Sequence, residues 1–434
     1  MPTPAYGAPA PGGLPYNPTP GLGFAPPPCG YQPPYPPPHA VTGAAIATTA
    51  FRQPAAAPGG PGMPMPHAAA APTAAMPAAA PAAAPAAAPV RKPMPAANQV
   101  PTQQMAKMNI SSGQKIHRGT GTVRDKPNFN GQQEAEVLRK AMKGIGTDEK
   151  AIIDVMSMCT SAQRQKIEVD FKTMYGKDLI KNLKGELKGK LEGVVLDLMR
   201  TPAQFDAKEL RKAMKGLGTD EAVLIEILCT RTNQEIKAIV EAYKKEFSRN
   251  LEKDVVSETS GHFRRLLVSM VQGARAEDPR VDRAKAKADA KALYDAGEKK
   301  LGTDESTFNM IMSSRSFPQL NATFEEYSNL CKYSIEQSIK REMSGDLEKG
   351  MLTIVSCVRN TPKYFAEKLY KSMKGLGTDD DTLVRIVVSR CEIDMVEIKQ
   401  EFHRQYNQTL GKFIAGDTSG DYKKILLALV GGEK

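Results

Sequence analysis

The sequence predicts an all-α domain behind a long irregular tail, and three observations carry that prediction. From Asn130 onward apolar residues recur at i, i+3 and i+4, with no strand-like alternation of useful length. Proline is concentrated elsewhere, since 28 of the 33 prolines lie at or before Pro101. One loop is spelled four times, as KAMKGIGTDEKAI from Lys140, KAMKGLGTDEAVL from Lys212, KKLGTDESTF from Lys299 and KSMKGLGTDDDTL from Lys371. Repetition of this kind is the mark of stacked units.

Residues 1–125 form the tail. No Asp or Glu precedes Asp125, and the text from Met1 to about Gly113 is dominated by Pro, Gly and Ala. Such a composition cannot bury enough apolar area to offset ordering entropy, so a disordered, partly polyproline-like segment is predicted. Tyr6, Tyr16, Tyr31 and Tyr35 sit among these residues. They read as a spacer or as a docking and self-association segment, with Gln32 to Pro38 as the candidate partner site and an EF-hand protein as a candidate partner.

The helical text then divides into units at 126–201, 202–273, 290–360 and 361–434, with a joint at 274–289. Each unit opens on an amphipathic helix: EAEVLRKAM, DAKELRKAM, DAKALYDAG or FAEKLYKSM. The shared loop follows, and the steps between its second glycines (Gly146, Gly218, Gly302, Gly377) are 72, 84 and 75 residues. Apolar pairs at Val155/Met156, Ile227/Leu228, Ile311/Met312 and Ile386/Val387 put the next helix in one phase all four times. Thr147, Thr219, Thr303 and Thr378 are the expected caps of that helix, and the acids after them oppose its positive end. Two or three further helices close each unit on KLEGVVLDLM, HFRRLLVSMV, DLEKGMLTIV or DYKKILLALV. About five helices make a unit too small to complete a core without its neighbours. The longest step contains ARAEDPRVDRAKAKAD, which reads as a linker joining two pairs of units.

Charge and composition exclude several function classes. Of the net +11, residues 1–125 hold +6, leaving a mild surplus spread over the helical part. Such a surplus suits an anionic surface, either RNA or lipid headgroups. No apolar run approaches the roughly 20 residues that span a bilayer, and no charged n-region with an apolar h-region opens the chain. The expected compartment is therefore the cytoplasm, with a nuclear pool allowed by the same reading. Six scattered cysteines without a C-x-x-C pair read as reduced thiols, four or five of them packed in cores. Five histidines (His39, His67, His117, His262, His403) have no ligand spacing, and neither a Walker-type loop nor a G-x-S-x-G elbow occurs, so no enzyme is predicted.

The loops carry the chemistry. In M-K-G-x-G-T, glycines at positive φ let alternate carbonyls face one point, and converging oxygens suit a hard cation such as Ca²⁺. A charged ligand stands 44 residues after the residue two before the first loop glycine: Met142 gives Glu186, Met214 gives Glu258, Glu298 gives Glu342 and Met373 gives Asp417. Each acid lies in a matching second loop, GELKG, SETSG, REMSG or GDTSG. A lone G-x-G-T is an ordinary helix terminator followed by a cap; four with an acid in register form a metal site.

These features, the K-G-x-G-T loop, the spaced acid and the fourfold repeat, resemble the annexins over residues 126–434, and the tail is similar to that of long-tailed, synexin-like members. The resemblance implies a slightly curved disc of four five-helix repeats, with Ca²⁺ loops on a convex side facing a bilayer. It places carbonyl ligands at Met142, Gly144 and Gly146 with Glu186, at Met214, Gly216 and Gly218 with Glu258, and at Met373, Gly375 and Gly377 with Asp417. In the third unit Glu298 and Lys300 replace the Met and the first Gly, and the family pattern implies Gly297, Lys300 and Gly302 with Glu342. A lysine at positive φ there would be strained. The resemblance also matches Asp206, Glu226, Arg231 and Arg385 to charged positions lining the family's central channel, with structural ion pairing as their expected role.

One carboxylate and three carbonyls leave the shell of a doubly charged ion incomplete, and phosphate oxygens of anionic lipid can complete it, so lipid and Ca²⁺ raise each other's affinity. Four such bridges predict steep, reversible recruitment to phosphatidylserine-like membranes, with vesicle tethering, aggregation or trafficking as the use. The rival reading is a tail-driven adaptor or condensate scaffold linking RNA or protein assemblies to membranes. The tail lacks Arg-Gly runs, and RNA is not expected as a direct ligand of the folded part.

Overall fold

The computed structural model describes residues 119–432, and the predicted disorder of the tail falls almost entirely outside them. Every regular element among the described residues is helical. The first repeat holds α1 (Gly131–Ala141), α2 (Glu149–Met158), α3 (Ser161–Tyr175), α4 (Leu179–Glu186) and α5 (Gly189–Leu198). The second holds α6 (Pro202–Ala213), α7 (Glu221–Thr230), α8 (Asn233–Phe247), α9 (Leu251–Glu258) and α10 (Gly261–Val271). The third holds α11 (Arg283–Ala296), α12 (Glu305–Ser314), α13 (Phe317–Leu330), α14 (Ile335–Glu342) and the first part of α15 (Gly345–Met373). The rest of α15 opens the fourth repeat, followed by α16 (Asp380–Arg390), α17 (Met395–Tyr406), α18 (Leu410–Asp417) and α19 (Gly420–Leu429). Asn360, at φ −166° and ψ 96°, breaks α15 into two helices laid end to end, so each repeat has five. Its side chain caps the second of them through Lys363 N–H at 2.9 Å.

The threonines do not cap the second helix of each repeat, which corrects the sequence expectation. The following aspartate does: Asp148 accepts from Ala151 N–H at 3.0 Å, Asp220 from Val223 at 3.2 Å, Asp304 from Ser306 at 3.1 Å and Asp379 from Thr382 at 3.0 Å. A carboxylate serves this end better than a hydroxyl, because it accepts the orphan N–H and also neutralises the helix dipole. The threonine hydroxyls are left for another task.

Two apolar cores hold the repeats together, and their membership overturns the expected pairing. One gathers Leu138, Ile152 and Phe171 of the first repeat with Ile386, Phe402 and Leu426 of the fourth. The other gathers Leu224 and Tyr243 of the second with Phe308 and Tyr327 of the third. The pairs are therefore one with four and two with three, and the joint lies inside a pair instead of between pairs. Only 274–282 of that joint is non-helical, because Asp282 caps α11 through Lys285 N–H at 3.0 Å. Small repeats share cores because none buries enough apolar surface alone.

Residues 119–125, assigned to the tail by composition, belong to the folded unit. Val123 N–H donates to the Cys391 carbonyl at 2.9 Å, and the Thr122 hydroxyl donates to the Leu429 carbonyl at 2.5 Å. Gly121 permits the approach, since a Cβ there would stand 2.6 Å from the Glu392 backbone. Cys159, Cys229, Cys357 and Cys391 are buried free thiols, as expected, and Cys331 is half-buried. Burial pushes the Cys159 thiol up to about 11 and the Cys229, Cys357 and Cys391 thiols up to about 12, so none is a nucleophile at neutral pH.

Candidate metal centre

Each first loop begins where a helix runs out. Met142 and Met214 are the C-caps of α1 and α6, and Met373 is the last residue of α15. The two glycines then turn the chain outward, at φ 113° and 89° for Gly144 and Gly146, 116° and 91° for Gly216 and Gly218, and 119° and 87° for Gly375 and Gly377. A return bond closes the loop, from Asp148 N–H to the Ala141 carbonyl at 3.0 Å, Asp220 to Ala213 at 2.9 Å and Asp379 to Ser372 at 2.7 Å. Among the described residues no backbone N–H bonds to the carbonyls of Met142, Gly144 or Gly146, nor to those at the matching positions of the second and fourth repeats.

The third loop reaches the same closure by another route. Asp304 N–H bonds to the Ala296 carbonyl at 2.8 Å, and Gly302 takes φ 81°. Gly297 caps α11 at φ −122°, and its carbonyl accepts Lys300 N–H at 2.9 Å. Lys300 is not at positive φ: among the described residues only Asn128, Ser248 and Asn407 are, apart from glycines. The strain expected of that lysine is therefore absent.

The acids stand at a second set of helix ends. Glu186, Glu258, Glu342 and Asp417 are the last residues of α4, α9, α14 and α18. Three residues on, Gly189, Gly261, Gly345 and Gly420 sit at φ 63°, 59°, 62° and 61° and start the last helix of each repeat or, in α15, the helix ending the third. Helix C-termini carry partial negative charge, so a carboxylate placed there makes a strong cation-attracting end.

The threonines join the two loops. Thr147 donates to the Glu186 carboxylate at 3.0 Å, Thr303 to Glu342 at 2.7 Å and Thr378 to Asp417 at 2.5 Å. Thr219 instead donates to the Glu258 backbone carbonyl at 3.3 Å, leaving that carboxylate freer. The structure thus brings together all four loop and acid pairs named from the 44-residue spacing. No cluster of three His, Cys, Asp or Glu side chains gathers among the described residues, so a cation here must draw on backbone oxygens as well. One carboxylate, neighbouring carbonyls and converging helix ends fit a hard, oxygen-seeking ion.

The residue before the second loop glycine was not singled out from sequence. Ile145, Leu217, Leu301 and Leu376 are fully exposed, at 106–108% of their reference area. The signal was present, because the position is Ile or Leu in every copy. Beside Glu186 opens a cavity of about 460 Å³ reaching Ser419 and Tyr422 of the fourth repeat. Beside Glu258 opens one of about 570 Å³ reaching Ser344 of the third.

The polar centre resolves into two ion pairs. Arg231 Nε and a terminal guanidinium nitrogen donate to Asp206 at 2.7 and 2.8 Å. Arg385 donates twice to Glu226, at 2.9 and 3.0 Å, and Lys368 Nζ joins it at 2.7 Å. Burial alone would push the Glu226 carboxyl up, but Lys368 and Arg385 outweigh it and hold it at about 2.

No helix among the described residues is long and apolar enough to cross a membrane. The Annexin family model matches residues 133–198, 205–270, 288–354 and 364–429, more than half of the chain. Annexin A7 of Homo sapiens is 59% identical over 311 residues, which are 72% of this chain and 64% of that protein. Among solved structures, annexin III superposes with a TM-score of 0.72 at 48% identity, covering 74% of this chain and 100% of the other. A calcium-bound annexin (Sm)1 gives 0.66 at 34% identity, covering 72% of this chain and 93% of the other. The matched segments are the four helical repeats already described, and this chain belongs to the annexin family.

Proposed function

We propose that this chain binds anionic phospholipid membranes when Ca²⁺ is present, each repeat supplying one grip. The observation that carries the reading is the fourfold meeting of two helix C-termini and a carboxylate, tied by a threonine in every copy, with loop carbonyls left unbonded by backbone N–H in the first, second and fourth. Met142, Gly144 and Gly146 with Glu186, Met214, Gly216 and Gly218 with Glu258, and Met373, Gly375 and Gly377 with Asp417 would hold the ion. In the third repeat Gly297, Lys300 and Gly302 with Glu342 would do so. Family membership and a calcium-bound structural relative support Ca²⁺ as the ion. Once bound, it supplies positive charge with coordination positions open to phosphate oxygens. The exposed Ile145, Leu217, Leu301 and Leu376 supply apolar surface that a bilayer accepts and water disfavours.

The role is recruitment, not turnover. Tethering of a second vesicle is assigned to the chain before the folded unit, and deleting residues 1–110 is expected to abolish clustering while single-membrane binding persists. The test of the main reading is cosedimentation of the full chain with phosphatidylserine vesicles. Pelleting that depends on Ca²⁺ and reverses with chelator is expected; equal pelleting in both conditions would sink it. Glu258→Gln is expected to raise the Ca²⁺ needed while the helical circular dichroism stays unchanged.

A further inference from the structure

Three departures of the third repeat from its sisters meet in space. Glu298 stands where the others carry Met142, Met214 and Met373. Arg341 stands where they carry Gly185, Ser257 and Gly416, and Tyr333 where they carry Lys177, Arg249 and Gln408. Arg341 Nε donates to Glu298 at 3.0 Å, and the same guanidinium lies 4.3 Å from the centre of the Tyr333 ring. Lys332 Nζ lies 4.9 Å from that ring. The Glu298 side chain is only 9% exposed, so Arg341 is the counter-ion of a nearly buried carboxylate inside the third loop. Tyr333 sits in the turn between α13 and α14, and its hydroxyl makes no hydrogen bond among the described residues.

The fold does not require this trio, since three repeats manage without it. We propose that Tyr333 is a tyrosine-phosphorylation site that tunes the third loop, an inference that rests on the Ca²⁺ reading above. Tyr333 Oη attacks the γ-phosphorus of ATP on a tyrosine kinase; the new O–P bond forms as the bond to the β-phosphate oxygen breaks. ADP leaves, and the phenolic proton passes to the kinase's base. The phosphate carries about −1.5 to −2 charges and is added to a ring that two cations already approach, Arg341 and Lys332. It draws Arg341 away from Glu298, whose carboxylate then adds uncompensated negative charge at the third loop. One guanidinium separates the Tyr333 ring from Glu298, so the charge of the phosphate bears on the third loop in the same direction.

The test uses the full chain with phosphotyrosine encoded at position 333, titrated with Ca²⁺ on phosphatidylserine vesicles. The half-saturating Ca²⁺ is expected to fall about threefold, as one extra charge near a divalent ion predicts. Arg341→Gln, unphosphorylated, should shift it the same way. An unchanged or higher midpoint in both overturns the tuning. Separately, incubation of the wild-type chain with a soluble tyrosine kinase and ATP should place phosphate on Tyr333 by peptide mass spectrometry, and on no equivalent peptide of Tyr333→Phe. Modification confined to other tyrosines overturns the site. Binding by the unmodified chain reports on the Ca²⁺ reading independently.

Discussion

Thr303 donates its hydroxyl to the Glu342 carboxylate at 2.7 Å across 39 residues of sequence, and the bond joins two loops that would otherwise move separately. It orients one carboxylate oxygen and leaves the other for a ligand. The first and fourth repeats repeat it through Thr147 and Thr378, whereas Thr219 reaches only the backbone of Glu258.

Thr303→Val should therefore weaken Ca²⁺ uptake by its loop more than Thr219→Val does. A lost hydrogen bond to a charged, partly exposed group is worth roughly 1 kcal/mol, about fivefold in affinity. Calorimetric Ca²⁺ titration on acidic vesicles measures both; equal losses would show that the carboxylate bond does not position the acid.

Replacing Ile145, Leu217, Leu301 and Leu376 together by Ser should weaken vesicle binding at saturating Ca²⁺ and leave folding intact. Full burial of such a side chain is worth about 1.5–3 kcal/mol, and insertion to part of its depth about half as much each. Cosedimentation at high ionic strength isolates this contribution, because salt screens the charged contacts and spares the apolar ones.

Gly375→Ala should cost about 1 kcal/mol or more in stability and disable the fourth loop, because Gly375 holds φ 119°. Gly193→Ala, in the interior of α5, should be nearly silent, because the backbone there is helical and nothing stands within 4 Å of a new Cβ. Thermal melts and Ca²⁺ titrations of the two variants check the contrast.

Glu226 makes acid stability measurable. Its folded-state value of about 2 lies below the ordinary 4.5, so the stabilisation it confers is complete above pH 4.5 and is lost as pH falls toward 2. Glu226→Gln should flatten that limb of the stability profile. It should also cost about 3–5 kcal/mol at neutral pH, since Arg385 and Lys368 are left buried or half-buried without their carboxylate.

Much of the site was legible because the chain states it four times. Spacing alone paired Met142 with Glu186 and its three counterparts, and the positive φ of Gly144 and Gly146 followed from residue type. What escaped was three-dimensional. Thr147 looked like a cap because Ser and Thr favour that position, yet Asp148 competes better and frees the hydroxyl for Glu186. The pairing of repeats was misjudged because a long connection suggests a boundary, while the packing of α19 against α2 and α5 depends on surfaces that no local pattern reveals. The ion pair of Glu226 with Arg385 spans 159 residues, and only the resemblance pointed to it.

The pairing of the first repeat with the fourth also dictates a sequence of events during synthesis. The second and third repeats are contiguous, so their shared interior can condense as soon as both have left the ribosome. The first repeat must wait, half-finished, until Ile386, Phe402 and Leu426 emerge 188 to 228 residues after its last helix ends at Leu198. Chains truncated at residue 360 and released from the ribosome should accordingly protect Leu224 and Phe308 from hydrogen exchange while leaving Leu138 and Ile152 labile. The longest-lived vulnerable surface of the folded unit belongs to the repeat made first.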